Sequence, residues 1–190
     1  MSRLWISGYR SYELGVFGDK DPKIEIIKFA LQDAINQKID NGVEWIITGP
    51  QLGVEQWGAE VALQAKEDYP ELKVAIMRPF AEFGNQWNET NKMKLADLMK
   101  QVDFSDQVSD QPYTNPSQLK NFQAFMLSHT DAALFVYDEE HEGKSKYDYL
   151  AAQQFANQHP YPITLIDFDQ LQEYAIEFSE KKNLENYEDE

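Results

Sequence analysis

Short apolar runs alternate with amphipathic stretches along the chain. The apolar runs predict six strands, at residues 4–6, 45–48, 73–77, 103–109, 132–137 and 162–166. The run at 132–137 is continuous, aromatic and β-branched, which is typical of a strand buried on both faces of a sheet.

Helices are predicted between these strands from apolar positions spaced three or four residues apart. The clearest stripe follows Asp21 and Pro22, since proline suits the first helical turn. It consists of Ile24, Ile27, Leu31, Ile35 and Ile39. Ser145 and Asp148 have the spacing of a capping box at the start of another helix, and Asp169 is predicted to cap the last one.

This alternation predicts the fold class. Strands separated by helices imply right-handed crossovers and a mainly parallel sheet with helices on both faces, a Rossmann-like three-layer α/β sandwich. We expect one such domain over residues 1–180 and a frayed acidic tail over 181–190. A domain of this size can bury a substantial core.

Composition narrows the function classes. The chain has no cysteine, which excludes disulfides, cysteine-ligated metals and a cysteine nucleophile, and it has only three histidines. Its net charge of −16 argues against an extended contact with nucleic acid, although one small anion in a local pocket stays compatible. Without a signal-peptide pattern or a long apolar run, we expect a cytoplasmic protein with no membrane contact.

The loops that follow the strands are the expected location of a binding site. In a parallel doubly wound sheet the carboxyl ends of all strands lie at one edge, where ligands bind. Residues 7–10, 49–55, 78–80 and 138–147 should therefore meet there. The sharpest pattern is T-G-P-Q-L-G-V-E at residues 48–55, whose two glycines and following helix N-terminus favour an anion. The alternative is a plain turn in which Glu55 stabilises the first helical turn.

Two of the three arginines, Arg10 and Arg78, fall just beyond predicted strand ends. A guanidinium group binds phosphate or carboxylate with a bidentate fork, although surface ion pairing is the alternative. The acidic run that begins at Asp138 is interpreted as solvated, with a hydrated Mg²⁺ site as its alternative. The nearby Tyr147 is a further candidate ligand contact.

Several of these segments together resemble the YpsA family. They are S-G-Y-R at residues 7–10, the stretch at 48–55, K-N at 120–121, and H-T-D at 129–131 followed by residues 132–138. That family belongs to the SLOG superfamily of Rossmann-like proteins, with DprA and the "Lonely guy" hydrolases. The resemblance implies a glycine-rich loop at residues 49–53, followed by Glu55, and binding of a nucleotide or an NAD- or ADP-ribose-like ligand.

The resemblance does not extend to the catalytic motif of the "Lonely guy" enzymes. Their P-G-G-x-G-T-x-x-E stretch corresponds to residues 142–148, which read E-G-K-S-K-Y-D. The acidic composition likewise argues against binding of single-stranded DNA, which DprA binds.

The leading hypothesis is therefore a non-catalytic module that binds or senses a small nucleotide-type ligand. The alternatives are a nucleotide N-glycosidic hydrolase, with Glu55 or Asp138 as acid, base or nucleophile, and a protein-interaction adaptor that uses the acidic C-terminal helix. The predicted ligand contacts are Ser7, Gly8, Arg10, Gly49, Gln51, Gly53, Glu55, Arg78, Asp138 and Tyr147.

Overall fold

A computed structural model of the chain describes residues 2–189 and contains one six-stranded sheet. The strands are β1 (Ser2–Gly8), β2 (Val43–Thr48), β3 (Lys73–Phe80), β4 (Phe104–Ser109), β5 (Ala132–Val136) and β6 (Ile163–Ile166). They are ordered β4-β3-β2-β1-β5-β6, and every neighbouring pair is parallel. The predicted Rossmann-like α/β architecture is confirmed.

Six helices cover the sheet in two groups. They are α1 (Pro22–Asp40), α2 (Val54–Ala65), α3 (Glu89–Gln101), α4 (Ser117–Ser128), α5 (Lys146–Ala156) and α6 (Phe168–Glu188). Helix α1 packs against α2 and α6, and α2 packs against α3, whereas α4 packs against α5. This grouping gives the three layers, with α1, α2, α3 and α6 on one face and α4 and α5 on the other.

The core is centred on β1 and β5, whose side chains are almost fully buried. Trp5 and Phe135 meet edge to face with their ring centroids 5.2 Å apart. The predicted stripe of α1 faces this core, since Ile24, Ile27, Leu31 and Ile35 are buried and Ile39 packs at the edge.

The strand order reverses between β1 and β5, because the chain leaves β1 toward β2 on one side and reaches β5 on the other. In doubly wound sheets the crevice at such a reversal, outside the carboxyl ends of the strands, is the usual ligand site. Ser7, Gly49, Arg78 and Asp138 all lie at this carboxyl edge, as expected.

The C-terminal helix begins differently from the sequence prediction. Asp167, not Asp169, is its N-cap: the Asp167 carboxylate accepts a 2.9 Å bond from Gln170 N, and Gln170 Oε1 accepts a 3.1 Å bond from Asp167 N. The helix extends to Glu188, and Lys182 pairs with Glu25 of α1 at 3.2 Å. No helix among the described residues combines the length and the apolar character that a membrane crossing requires.

Candidate functional site

The glycine loop, residues 49–53, folds around the side chain of Glu55. Glu55 is only 4% exposed, and its Oε2 accepts a 2.8 Å hydrogen bond from Gln51 N. A Cβ at Gly49 would lie 2.5 Å from Glu55 Oε1, so this side chain fits because residue 49 has none. The loop therefore does hold an acidic group, and that group is the carboxyl of its own Glu55.

Gly53 joins this loop to the segment that follows β1. Its φ of +116° is a backbone conformation that glycine tolerates, and a Cβ there would lie 2.5 Å from Ser11 N. Val54 N donates to Tyr9 O at 3.0 Å, and Ser11 N donates to Leu52 O at 3.1 Å. The loop is thus fixed to the segment after β1 by backbone hydrogen bonds on both sides of Gly53.

The sequence predicts an anion at the start of α2, and these bonds reduce the number of N–H donors available there. Val54 N is bonded to Tyr9 O, and Gln56 N donates to Gln51 O at 3.3 Å. Two of the first three N–H groups of the helix thus have partners within the chain, which leaves fewer donors for an external anion than an open helix N-terminus offers.

A second carboxyl group reaches the same place from the opposite face of the sheet. Asp148, in the first turn of α5, accepts a 2.9 Å bond on Oδ2 from the Ser7 hydroxyl and a 2.9 Å bond on Oδ1 from Gln123 Nε2 of α4. Ser7 is 1% exposed at the carboxyl end of β1. The end of the central strand is thus connected directly to α5 and, through Asp148, to α4.

The predicted capping box of α5 is wrong for this reason. Asp148 is engaged by Ser7 and Gln123, and Ser145 has helical backbone angles (φ −66°, ψ −8°) in place of the extended conformation of a capping serine. The Ser145 hydroxyl is buried and has no hydrogen-bond partner within residues 2–189.

Both carboxyl groups have raised pKa values. Burial raises the pKa of Glu55 to about 7, with a further increase from the nearby Asp148 charge; Arg10, the Gln51 N–H and the Ser7 hydroxyl act in the opposite direction. Burial also raises the pKa of Asp148, against the effects of Gln123, Ser7 and Arg10. Part of the Asp148 residue is solvent-accessible, but its carboxyl group is packed among protein atoms.

Arg10 provides the positive charge at the rim of this pair. It is half-buried, and within the part of the chain that the structure describes its guanidinium group forms no ion pair. It lowers the pKa of Glu55 and of Asp148 without a direct salt bridge to either. Its guanidinium group is thus not engaged by a carboxylate among the described residues.

Comparison with known proteins agrees with the fold and the loop pattern. The model of the YpsA family, described as "YspA SLOG family", matches residues 4–171. The chain belongs to the YpsA family. It is also similar to proteins from Lactiplantibacillus plantarum (60% identical), Levilactobacillus brevis (61%) and Leuconostoc citreum (58%). Each alignment covers 96% of this chain and 96–97% of the relative, and each relative carries the name UPF0398 protein, which states no ligand or reaction.

Asp138, the other acid considered from the sequence, has a structural position in this YpsA-family protein. Its carboxylate accepts bonds from Phe168 N at 3.1 Å and Glu140 N at 2.8 Å, which lower its pKa and attach the end of β5 to α6. Tyr9 OH accepts a bond from Asp138 N at 2.9 Å and donates to His141 O at 2.6 Å. Tyr9 thus fills part of the crevice between β1 and β5.

The remaining predicted residues are distributed as follows. Gly8 packs tightly, since a Cβ there would lie 2.6 Å from Val136 O. Tyr147 is 68% exposed at the start of α5. Arg78 lies inside β3, not beyond it, and its side chain lines a separate groove beside α3. No group of three or more histidine, aspartate or glutamate side chains within residues 2–189 is arranged to hold a metal ion.

Asp148 and Gln123 were not predicted from the sequence. Asp148 fitted a capping box, and Gln123 lies in α4, outside the loops that follow the strands. The position of Asp148 in the sequence could have indicated it, because it is an acidic residue in the first turn of the helix that follows β5, next to the strand reversal. Its counterpart after β2 is Glu55.

Proposed function

We propose that this protein binds a nucleotide or a nucleotide-derived ligand of the NAD or ADP-ribose type, as a non-catalytic binding or sensing module. The main support is that the Glu55 and Asp148 carboxyl groups both lie near Ser7 and Arg10, and that the Arg10 guanidinium group forms no ion pair within residues 2–189. Such a ligand is an intracellular metabolite, so the proposal includes a cytoplasmic protein. Because of the net charge of −16, it includes no nucleic-acid partner.

The chemistry of the three groups assigns a role to each of them. Carboxylates accept hydrogen bonds and repel phosphate, so Asp148, part of which is solvent-accessible, suits a hydroxyl group of a ribose, whereas the buried Glu55 shapes the loop. Arg10 suits a phosphate, because its fork matches two phosphate oxygens. The start of α2 is less suited to the phosphate, since Val54 N and Gln56 N already have partners.

Calorimetric titration with ADP-ribose, NAD and AMP tests this proposal. We expect at least one of them to bind, and we expect Arg10→Gln and Asp148→Asn each to weaken binding about tenfold or more, which corresponds to one lost charge-assisted hydrogen bond. Arg3→Gln is the matched control. Arg3 lies near the amino-terminal end of the sheet, where its Nε is 3.7 Å from Asp131 Oδ2. The absence of binding for all three compounds at millimolar concentration, or equal affinities in Arg10→Gln and Arg3→Gln, would overturn it.

The pKa of Glu55 favours a second candidate function. A carboxyl group with a pKa of about 7 is partly protonated at neutral pH, and a second carboxyl lies beside it, as acid-base cleavage of an N-glycosidic bond requires. Water would then convert AMP into adenine and ribose 5-phosphate. Chromatography detects released base: release that is lost in Glu55→Gln and retained in Arg3→Gln supports the hydrolase, and absence of release supports the binding module.

A further inference from the structure

A second groove lies beside β3 and runs along one side of α3. It has a volume of about 460 Å³ and is formed by the end of β3, the turn at residues 83–87 and one side of α3. Its lining includes three cationic residues, Arg78, Lys92 and Lys100, together with the indole of Trp87. None of its lining residues belongs to the glycine loop or to the Glu55 site.

The charge of this groove is opposite to that of the protein. The chain carries 33 acidic residues, yet none lines the groove. Lys92 has one partner, Glu89 at 3.6 Å, whose side chain is 88% exposed, and neither Arg78 nor Lys100 forms an ion pair within residues 2–189. The three positive charges are therefore not neutralised by the groove itself.

Arg78 also has an unsatisfied buried donor. Its Nε is buried and has no hydrogen-bond partner within the described residues. A buried N–H without an acceptor is unfavourable, and an anion beside the guanidinium group would satisfy it through Nε and one Nη together.

Trp87 gives the groove a rigid aromatic wall. Phe83 packs against it edge to face with ring centroids 5.4 Å apart. A Cβ at Gly84 would lie 3.1 Å from the indole, so the absent side chain lets the turn press against the ring. The half-buried indole is thus held in place by Phe83 and Gly84 while it lines the groove, and a fixed aromatic ring is a surface on which a base can stack.

We infer that this groove is a second binding site, for a nucleoside monophosphate whose phosphate binds Arg78 and Lys100 and whose base stacks on Trp87. The volume lies within the range of small-ligand pockets. The inference does not depend on the function proposed for the Glu55 site, because the two sites share no residue.

Titration of the ¹⁵N-labelled protein with AMP tests the site directly. The chain has four tryptophans, and Trp87→Leu identifies the indole N–H signal of Trp87 by its disappearance. We expect AMP to shift that signal, with adenosine and inorganic phosphate each binding at least about tenfold more weakly. No shift at millimolar AMP, or phosphate binding as tightly as AMP, would overturn the inference.

Charge variants separate this site from the Glu55 site. Arg78→Gln and Lys100→Gln should each weaken AMP binding, followed by the Trp87 signal, about tenfold. Lys94→Gln is the control and should leave the affinity unchanged, because Lys94 lies on the same helix as Lys100 but is paired with Asp19 at 2.5 Å. Lys100 is exposed, so its variant keeps the test valid if Arg78→Gln does not fold. Loss of the shift in Arg10→Gln with retention in Arg78→Gln would assign the effect to the other site and overturn the inference.

Discussion

Ser7 and Asp148 are joined by a 2.9 Å hydrogen bond although 141 residues separate them in the chain. The bond connects the end of the central strand to the first turn of α5, and it places the Asp148 carboxyl where its charge raises the pKa of Glu55. Glu55 and Asp148 therefore form one electrostatic unit only in the folded sheet.

Replacement of Asp148 by asparagine should lower the pKa of Glu55. Asp148 is the largest cause of the raised pKa after burial, so removal of its charge makes ionisation of Glu55 easier. Carbon-detected NMR titration of the Glu55 carboxyl group measures the change.

Asp138→Asn is the control for that titration. Asp138 is also acidic and follows β5, but it is bonded to Phe168 N and Glu140 N and has no part in the shift of Glu55. An equal change of the Glu55 pKa in both variants would contradict the pairing of Glu55 with Asp148.

The fold was predictable because its signals are local. The stripe from Ile24 to Ile35 and the apolar runs at 45–48 and 132–137 each depend on neighbours a few residues away. Strand ends were less certain: β3 extends to Phe80, because residues 78–80 pair with β4, and Arg78 therefore lies in the strand. Similarly, Asp167 and Asp169 both fit a helix cap, and only the backbone conformation distinguishes them.

The candidate site was only half predictable. Its loops were identified because parallel strands bring their carboxyl ends together, and this rule located Ser7, Arg10 and Glu55. Asp148 was not identified as a partner because its contacts, Ser7 and Gln123, come from distant parts of the chain. The different orientation of Arg78 depends on side-chain packing, which the sequence pattern does not specify.

The contribution of Glu55 to the stability of the protein should decrease as the pH rises from about 4.5 to about 7, the interval between the ordinary and the folded pKa of this group. In this interval the folded state binds the Glu55 proton more tightly than the unfolded state does, so the contribution is complete at low pH and is lost as Glu55 ionises. Its size is on the order of 3 kcal/mol, at about 1.4 kcal/mol for each pH unit.

Urea unfolding of the wild type and of Glu55→Gln at a series of pH values measures this effect. Glutamine has the same shape and no charge, so the variant should have a flatter dependence in that pH interval. Parallel curves for the two proteins would contradict a buried Glu55 with a raised pKa.

Replacement by alanine should change the free energy of unfolding differently at two buried serines, Ser7 and Ser145. Ser7→Ala removes a donor from the Asp148 carboxyl and should lower the free energy of unfolding by about 1–3 kcal/mol. Ser145→Ala removes a hydroxyl without a partner in the described chain, so it should be neutral within about 0.5 kcal/mol or stabilising. Urea unfolding of both variants decides, and equal losses would contradict the assigned hydrogen bonds.

Gly53→Ala should destabilise the protein whether or not a ligand binds at the loop. An alanine at φ +116° has an unfavourable backbone, for about 1–3 kcal/mol, and its Cβ would lie 2.5 Å from Ser11 N. Two other glycines separate these effects: Gly42 has φ +103° with open space around it, and Gly18 has neither a positive φ nor a close neighbour. The loss of stability should therefore be largest for Gly53→Ala, smaller for Gly42→Ala and within about 0.5 kcal/mol of zero for Gly18→Ala.

Melting and urea unfolding of the three variants measure this order. A Gly53→Ala protein as stable as Gly18→Ala would show that the backbone bonds between the glycine loop and residues 9–11 contribute little, and a reduced ligand affinity in that variant could then be attributed to a ligand contact at Gly53.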